Sequence, residues 1–220
     1  MRPLGLRIGA ELFGTALLVA VIIGSGIMGT NLSDDAGVAL LINTAATVPA
    51  LAVLIWMFGP VSEAHFNPVV SLVALLQRRI PASEFVCYCA AQVLGAVCGA
   101  VLANLMYALP ALNISTTERG GVPLWLGEVI ATSGLLLTIG LVGRSGRPGH
   151  GFVFIPLWIS SAYFFTSSTS FANPAVTVGR MFSDTFAGIA PTSAPAFVAM
   201  QIVGAIIGMQ LSRVFNRNQE

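Results

Sequence analysis

Apolar segments of about 20 residues recur along the chain, and they constrain its fold more than any other feature. Each is long enough to cross roughly 30 Å of hydrocarbon. Only 9% of the 220 residues are charged, whereas a soluble domain carries about 25%. A transmembrane β-barrel would instead show short alternating segments. The sequence therefore predicts an all-α membrane protein that crosses a lipid bilayer several times.

Six of these segments are predicted to span the membrane, at about 6–29, 37–58, 83–107, 124–143, 151–166 and 193–213. Two further apolar segments, at about 67–77 and 173–183, are too short to span, and each opens with Asn-Pro. Proline is favoured at the first position of a helix, and Asn is favoured just before it. We therefore expect two half-helices that begin inside the protein.

The arginines predict how the chain is oriented. With six spans, one side of the membrane receives nearly all of them, and the opposite loops hold Asp34, Asp35, Glu118 and Arg119. The positive-inside rule then puts both termini in the cytoplasm, and we expect a bacterial plasma membrane. The net charge of only +1 argues against a nucleic-acid partner. The arginines on the predicted cytoplasmic side are Arg2, Arg7, Arg78, Arg79, Arg144, Arg147, Arg213 and Arg217.

The two halves of the chain repeat. Each half holds three spans, an odd number, so the second half is expected to lie upside down relative to the first. We expect one domain over 1–220, with halves at about 1–107 and 124–220 joined by an extracellular loop. Inverted repeats with broken helices place their site near the bilayer midplane. Three landmarks recur, at offsets of 117, 106 and 109 positions: Glu11 with Glu128, Asn67 with Asn173, and Gln92 with Gln201.

The half-helices predict a pore. They enter from opposite faces and meet N-terminus to N-terminus, and each N-terminus carries roughly half a positive charge, which repels cations. The Asn67 and Asn173 amides offer hydrogen-bond donors at the same level. An ion would lose more hydration there than neutral groups return, whereas a neutral polar solute loses little. The sequence therefore favours passive permeation of small uncharged molecules.

These motifs resemble the aquaporin, or major intrinsic protein, family over essentially the whole chain. The matching segments are SEAHFNPVV, FANPAVTVG, AAQVLGA and AMQIVGA, together with the glutamates of the first and fourth spans. The resemblance implies a helical bundle around one pore per subunit, a homotetramer, no cofactor, no metal and no enzymatic activity. It implies two pore motifs, Asn67-Pro68-Val69, where the family usually has Ala third, and Asn173-Pro174-Ala175. It also implies loop-supporting roles for Glu11, Glu128, Gln92 and Gln201, and a pore-side or loop-packing role for His65.

The filter is where this sequence departs from the family. Family water channels usually follow the second motif with Arg, whereas this chain has Val176. Counting back from each Asn places the other three filter positions at Thr47, Ser161 and Ser170. Four small side chains would make a wide, neutral, hydroxyl-lined constriction. We expect it to pass glycerol, urea and undissociated arsenite or related metalloid hydroxides besides water, like the family variants that lack the Arg.

Several alternatives stay open from the sequence. Arg180, four residues beyond Val176, either replaces part of the missing filter charge or pairs with Asp184 or with a neighbouring loop. The chain could be an ordinary water or glycerol facilitator, or an inverted-repeat secondary transporter. A transporter needs ionisable groups inside the membrane, and the only candidates are Glu11 and Glu128, which the repeat indicates are structural.

Overall fold

A computed structural model of the chain describes residues 2–144 and 148–216. These residues contain eight α-helices, one 3₁₀ turn at Pro148–His150 and no strand, so the predicted all-α fold is confirmed. The α-helices are α1 (Leu4–Leu32), α2 (Ala36–Ser62), α3 (Pro68–Leu76), α4 (Ala82–Met106), α5 (Val122–Arg144), α6 (Gly151–Phe165), α7 (Pro174–Arg180) and α8 (Ala194–Asn216).

The long helices match the predicted spans to within a few residues. Among the described residues, α1, α2, α4, α5 and α8 are long and apolar enough to cross a membrane. Helix α6 has 15 residues and follows the 3₁₀ turn directly, so it is shorter than the other five. The protein is an integral membrane protein.

Two pairs of long helices pack at backbone contact, α1 on α4 and α5 on α8. A Cβ added at Gly99 of α4 would stand 2.2 Å from the carbonyl oxygen of Ala16 in α1. A Cβ added at Gly208 of α8 would stand 2.3 Å from the carbonyl oxygen of Ser133 in α5. Small residues permit this close approach, on which helix association within lipid depends. The same contact therefore holds the framework in each half of the chain.

The half-helices begin where the sequence predicts. Asn67 and Asn173 are the N-cap residues of α3 and α7, with extended φ values of −155° and −157°, and a proline follows each. The Asn67 Oδ1 accepts a hydrogen bond from the Val69 N–H at 3.0 Å, and the Asn173 Oδ1 accepts one from the Ala175 N–H at 2.9 Å. Each Asn thus satisfies a backbone donor that a helix start leaves free.

The backbone that leads into each half-helix is strained at equivalent positions. Phe66 has φ 49° and Ala172 has φ 48°, values that non-glycine residues rarely adopt. Such residues cost about 1–3 kcal/mol each and persist only where the surroundings hold them. In both loops the strained segment runs along the interior of the protein, where its polar groups need partners.

Candidate pore

The two Asn-Pro motifs are in direct contact. The Asn67 Nδ2 donates a hydrogen bond to the Ala172 carbonyl oxygen at 2.8 Å, and the Asn173 Nδ2 donates one to the Phe66 carbonyl oxygen at 2.8 Å. Each half-helix is thereby tied to the loop that precedes the other one. Since a primary amide has two N–H groups, one donor of each Asn stays available to the space between the motifs.

Glu11 holds the first re-entrant loop. Its side chain is fully buried, and both carboxylate oxygens are occupied. One oxygen accepts from the His65 N–H at 2.9 Å and the Ser62 Oγ at 2.6 Å, and the other accepts from the Phe66 N–H at 2.6 Å and the Gln92 Nε2 at 2.8 Å. An ionised carboxylate suits this set, because every partner is a donor. The geometry is that of a structural anchor.

Glu128 holds the second re-entrant loop in the same way. It is fully buried and accepts from the Phe171 N–H at 2.9 Å and the Ala172 N–H at 2.9 Å. Gln201 donates to it at 2.6 Å and also to the Thr177 Oγ1 at 2.9 Å. The repeat in the sequence therefore corresponds to a repeat of these contacts.

A cavity of 130 Å³ lies between the half-helices. Five of the predicted pore and filter residues line it together with His65. Val69 and Ala175 are buried and, like Pro68 and Pro174, do not line it. One wall is aliphatic and the other consists of the two re-entrant loops. The predicted residues in the lining are Thr47, His65, Asn67, Ser170, Asn173 and Val176, and the aliphatic ones include Leu18, Ile22, Leu51, Leu135, Ile155 and Ile159.

Ser161 does not lie where the sequence predicts. It is exposed on the outside of α6, and its hydroxyl donates to the Leu157 carbonyl oxygen of its own helix at 3.2 Å. The residues of α6 that line the cavity are Ile155, Ile159 and Tyr163. They recur every four residues, so they share one face of the helix, and Ser161 is on another. The α6 residue that lines the cavity near this position is therefore Tyr163 and not Ser161, and the Ile-x3-Ile-x3-Tyr spacing is the sequence pattern that indicates this face.

Because Thr47 lines the cavity and Ser161 does not, a Phe substitution is expected to reduce solute flux strongly at Thr47 and little at Ser161. Thr47→Phe is expected to reduce solute flux by more than about tenfold, because a ring would fill a cavity of the size of a few water molecules. Ser161→Phe is expected to leave flux within about twofold, because its side chain points away from the cavity. Flux in proteoliposomes at equal protein content measures both. A block by Ser161→Phe as strong as that by Thr47→Phe would instead support Ser161 as a filter position.

A second cavity, of 240 Å³, lies where α2 begins, on the side that the sequence predicts to be extracellular, and we call it the outer vestibule. Tyr163 and Arg180 line both cavities, so they border the passage between them. Arg180 forms no ion pair with Asp184 and contacts the neighbouring loop, the other partner that the sequence leaves open. Its Nε donates to the Ala187 carbonyl oxygen, and its guanidinium carbon lies 3.4 Å from the centroid of the Phe171 ring.

The mouth on the side predicted to be cytoplasmic, which we call the inner mouth, pairs an arginine with a carboxylate. The Glu63 carboxylate lies 2.5 Å from the Arg79 guanidinium and 3.6 Å from the His65 Nε2, while the His65 Nδ1 lies 3.0 Å from the Ser71 Oγ. Contact with His65, and then the charge of Arg79, lowers the pKa of Glu63 to about 2 against the opposing effect of burial. Glu63 is therefore ionised at neutral pH and compensates Arg79.

Comparison with known proteins agrees with this geometry. The family model described as "Major intrinsic protein" matches residues 6–169. Aquaglyceroporin AqpS of Rhizobium meliloti is 46% identical over 207 residues, which cover 94% of this chain and 88% of that protein. Aquaporin Z of Brucella melitensis is 29% identical over 223 residues, which cover 92% and 94% of the two chains.

A solved structure shares the fold. The X-ray structure of the aquaglyceroporin from Plasmodium falciparum matches with a TM-score of 0.73 and 21% identity, over 94% of this chain and 95% of that one. On the family match and the 46% identity, the chain belongs to the major intrinsic protein family, whose members are passive channels and not enzymes.

Proposed function

We propose that this protein is a passive channel for small uncharged polar solutes: water, glycerol- and urea-sized molecules, and undissociated trihydroxides such as arsenite. The observation that carries the proposal is the cavity between the half-helices, with an aliphatic wall on one side and the Asn67 and Asn173 amides on the other. A polyol presents carbon to the first wall and hydroxyls to the second. A bare ion finds too few ligands there to replace its water.

The filter in this proposal consists of Thr47, Tyr163, Ser170 and Val176. Val176 is buried at the cavity wall and adds neither donors nor charge at the position where family water channels usually have Arg. The Tyr163 ring adds a flat apolar surface, and the Thr47 and Ser170 hydroxyls lie in the same lining. Such a filter suits a solute that has both a carbon face and hydroxyls.

Two further arguments favour this function over the alternatives. The name aquaglyceroporin, carried by the relative that is 46% identical, supports passage of glycerol beside water. A secondary transporter would need free ionisable groups within the membrane. Glu11 and Glu128 have their carboxylates occupied by loop backbone and by Gln92 and Gln201.

The surrounding organisation is part of the same proposal. We propose one channel domain of two inverted halves, assembled as a homotetramer in a bacterial plasma membrane with both termini in the cytoplasm. The positive-inside rule supports the orientation. Of the arginines that predicted it, Arg147 and Arg217 lie outside the described residues.

Stopped-flow light scattering on proteoliposomes tests the function, with water, glycerol, urea and arsenite compared side by side. We expect flux of each solute to follow its own concentration gradient and to be unchanged by a membrane potential or a proton gradient. Protein-free liposomes provide the control. Accumulation of any solute above equilibrium that an uncoupler abolishes would place the protein among secondary transporters.

A further inference from the structure

The outer vestibule is lined by two arginines that form no ion pair with a carboxylate in the described part of the chain. Arg180 lines it from α7, and Arg119 lines it from the loop between the two halves of the chain. Both guanidinium carbons lie against one aromatic ring, at 3.4 Å and 5.4 Å from the centroid of Phe171. Across residues 2–144 and 148–216, no salt bridge includes either arginine. Two like charges are thus held close together at one mouth of the pore.

The acids nearest in sequence to these arginines have other partners. Glu118 accepts from the Thr192 hydroxyl at 2.9 Å and the Ser193 hydroxyl at 2.7 Å. Asp184 accepts from the Thr116 N–H at 2.9 Å. The buried Glu128 is held by the backbone of the second re-entrant loop. None of these carboxylates is in direct contact with the two guanidinium groups, and the charge of Glu128 acts on Arg119 only at longer range.

The backbone fixes both arginines but leaves donors over. Arg119 donates from Nε to the Gly188 carbonyl oxygen at 2.7 Å and from Nη2 to the Phe186 carbonyl oxygen at 3.1 Å. Arg180 uses its Nε for Ala187. A guanidinium has five N–H donors, and no hydrogen bond within the described part of the chain uses the Nη atoms of Arg180 or the Nη1 of Arg119. Arg180 is only 5% exposed, so its spare donors face the two cavities that it lines.

Burying an uncompensated cation is costly unless a partner arrives. Burial lowers the pKa of the Arg119 guanidinium, and the charge of Glu128 offsets only part of this effect. The inner mouth provides the contrast, because Arg79 there has Glu63 within 2.5 Å. An anion from solution would supply at the outer mouth what Glu63 supplies at the inner one.

We propose that the outer vestibule is a binding site for a small free oxyanion, such as phosphate or a monocarboxylate, held by Arg119 and Arg180. Guanidinium groups match the paired oxygens of such anions. The cavity of 240 Å³ has room for an ion of this size. Because Tyr163 and Arg180 also line the cavity between the half-helices, an oxyanion bound in the outer vestibule occludes the passage between the two cavities. The binding site stands on the arginine geometry alone, and only its blocking effect rests on the proposed function.

Titration of the purified full-length protein with inorganic phosphate tests the site, in a maltoside detergent that contains no phosphate, at constant ionic strength. We expect saturable binding by calorimetry, competition by acetate and little by chloride. Arg119→Gln is expected to weaken binding by about tenfold or more, since one charged donor set is lost. Arg213→Gln, which removes an exposed arginine of α8, is the matched control and should bind as the wild type does.

Three results would each overturn the site: no saturable binding by the wild type, equal binding by Arg119→Gln, or equal loss in Arg213→Gln. If Arg119→Gln does not fold, Arg180→Lys takes its place. It keeps the charge but loses the planar donors, and it is also expected to bind about tenfold more weakly. Phosphate added outside proteoliposomes then tests occlusion through glycerol flux. Binding without conduction in any condition would leave the site standing and remove the proposed function.

Discussion

Val176→Arg is expected to lower arsenite and glycerol flux by more than about tenfold while water flux falls much less. Val176 is 3% exposed and belongs to the cavity lining with Ser170. An arginine there adds a long side chain that narrows the passage, and its donors favour one edge of the lumen. A water molecule passes a narrowed opening more easily than a trihydroxide does. Stopped-flow permeation of water, glycerol and arsenite in the same vesicles measures the selectivity.

Two companion variants separate size from charge. Val176→Leu adds bulk without donors, so it is expected to reduce all three solutes modestly and without the large change in selectivity. Arg180→Gln tests the other account, in which Arg180 already acts as the filter charge from one turn further out. In that account Val176→Arg changes solute flux little and Arg180→Gln changes it strongly. Unchanged arsenite flux in Val176→Arg, at equal membrane abundance, would mean that the constriction lies elsewhere.

Local rules were sufficient to predict the half-helices. An Asn cap followed by proline fixes a helix start through atoms only two or three residues apart, and α3 and α7 begin at Pro68 and Pro174 as expected. The internal repeat predicted the contacts between residues that are far apart in the sequence. Because Glu11 and Glu128 recur with the same neighbours, one structural explanation had to serve both, and each is found holding the loop before a half-helix.

The misplacement of Ser161 and the absence of an Arg180–Asp184 pair have physical causes. Ser161 was placed by counting along α6, but this helix is apolar on nearly every side, so its composition does not indicate which face meets the pore. The Arg180–Asp184 pair relied on the i, i+4 rule, which holds only within a helix. Helix α7 ends at Arg180, so Asp184 lies beyond it and binds Thr116 instead.

The vestibule was beyond the reach of local rules. Arg119 and Arg180 are brought together by the loop between the halves, whose backbone hydrogen bonds join residues about 70 positions apart, such as Ser115 N–H with the Met181 carbonyl oxygen. Nothing in the sequence near Arg119 indicates Phe171 as its neighbour. Contacts of this kind depend on the complete tertiary fold. From the sequence alone, only the positive charges of Arg119 and Arg180 could be predicted.

Loss of the Glu128 carboxylate is expected to remove both the folded channel and its flux. Glu128→Leu leaves the buried N–H groups of Phe171 and Ala172 without acceptors, at about 1–3 kcal/mol each. That is a large part of a typical folding stability of about 5–15 kcal/mol. Thermal melting in detergent and glycerol flux in proteoliposomes are expected to fall together. The Ala172 carbonyl oxygen also accepts a hydrogen bond from the Asn67 amide. Loss of the loop conformation is therefore expected to disrupt the contact between the two motifs as well.

Glu128→Gln discriminates an anchor from a proton relay. The Gln carbonyl still accepts from one backbone N–H, but its NH2 group faces the other, so we expect intermediate stability and reduced flux. If Glu128 were a proton relay, Glu128→Gln would instead abolish proton coupling and leave the melting temperature of the protein unchanged. Glu11→Gln should behave like Glu128→Gln, because Glu11 accepts from the His65 and Phe66 N–H groups in the same way. Glu118→Gln, at an exposed position, is the control, and its free energy of unfolding should stay within about 0.5 kcal/mol of the wild-type value. Wild-type melting and flux in Glu128→Leu would show that the carboxylate does not hold the loop, and that the repeat of Glu11 and Glu128 has another cause.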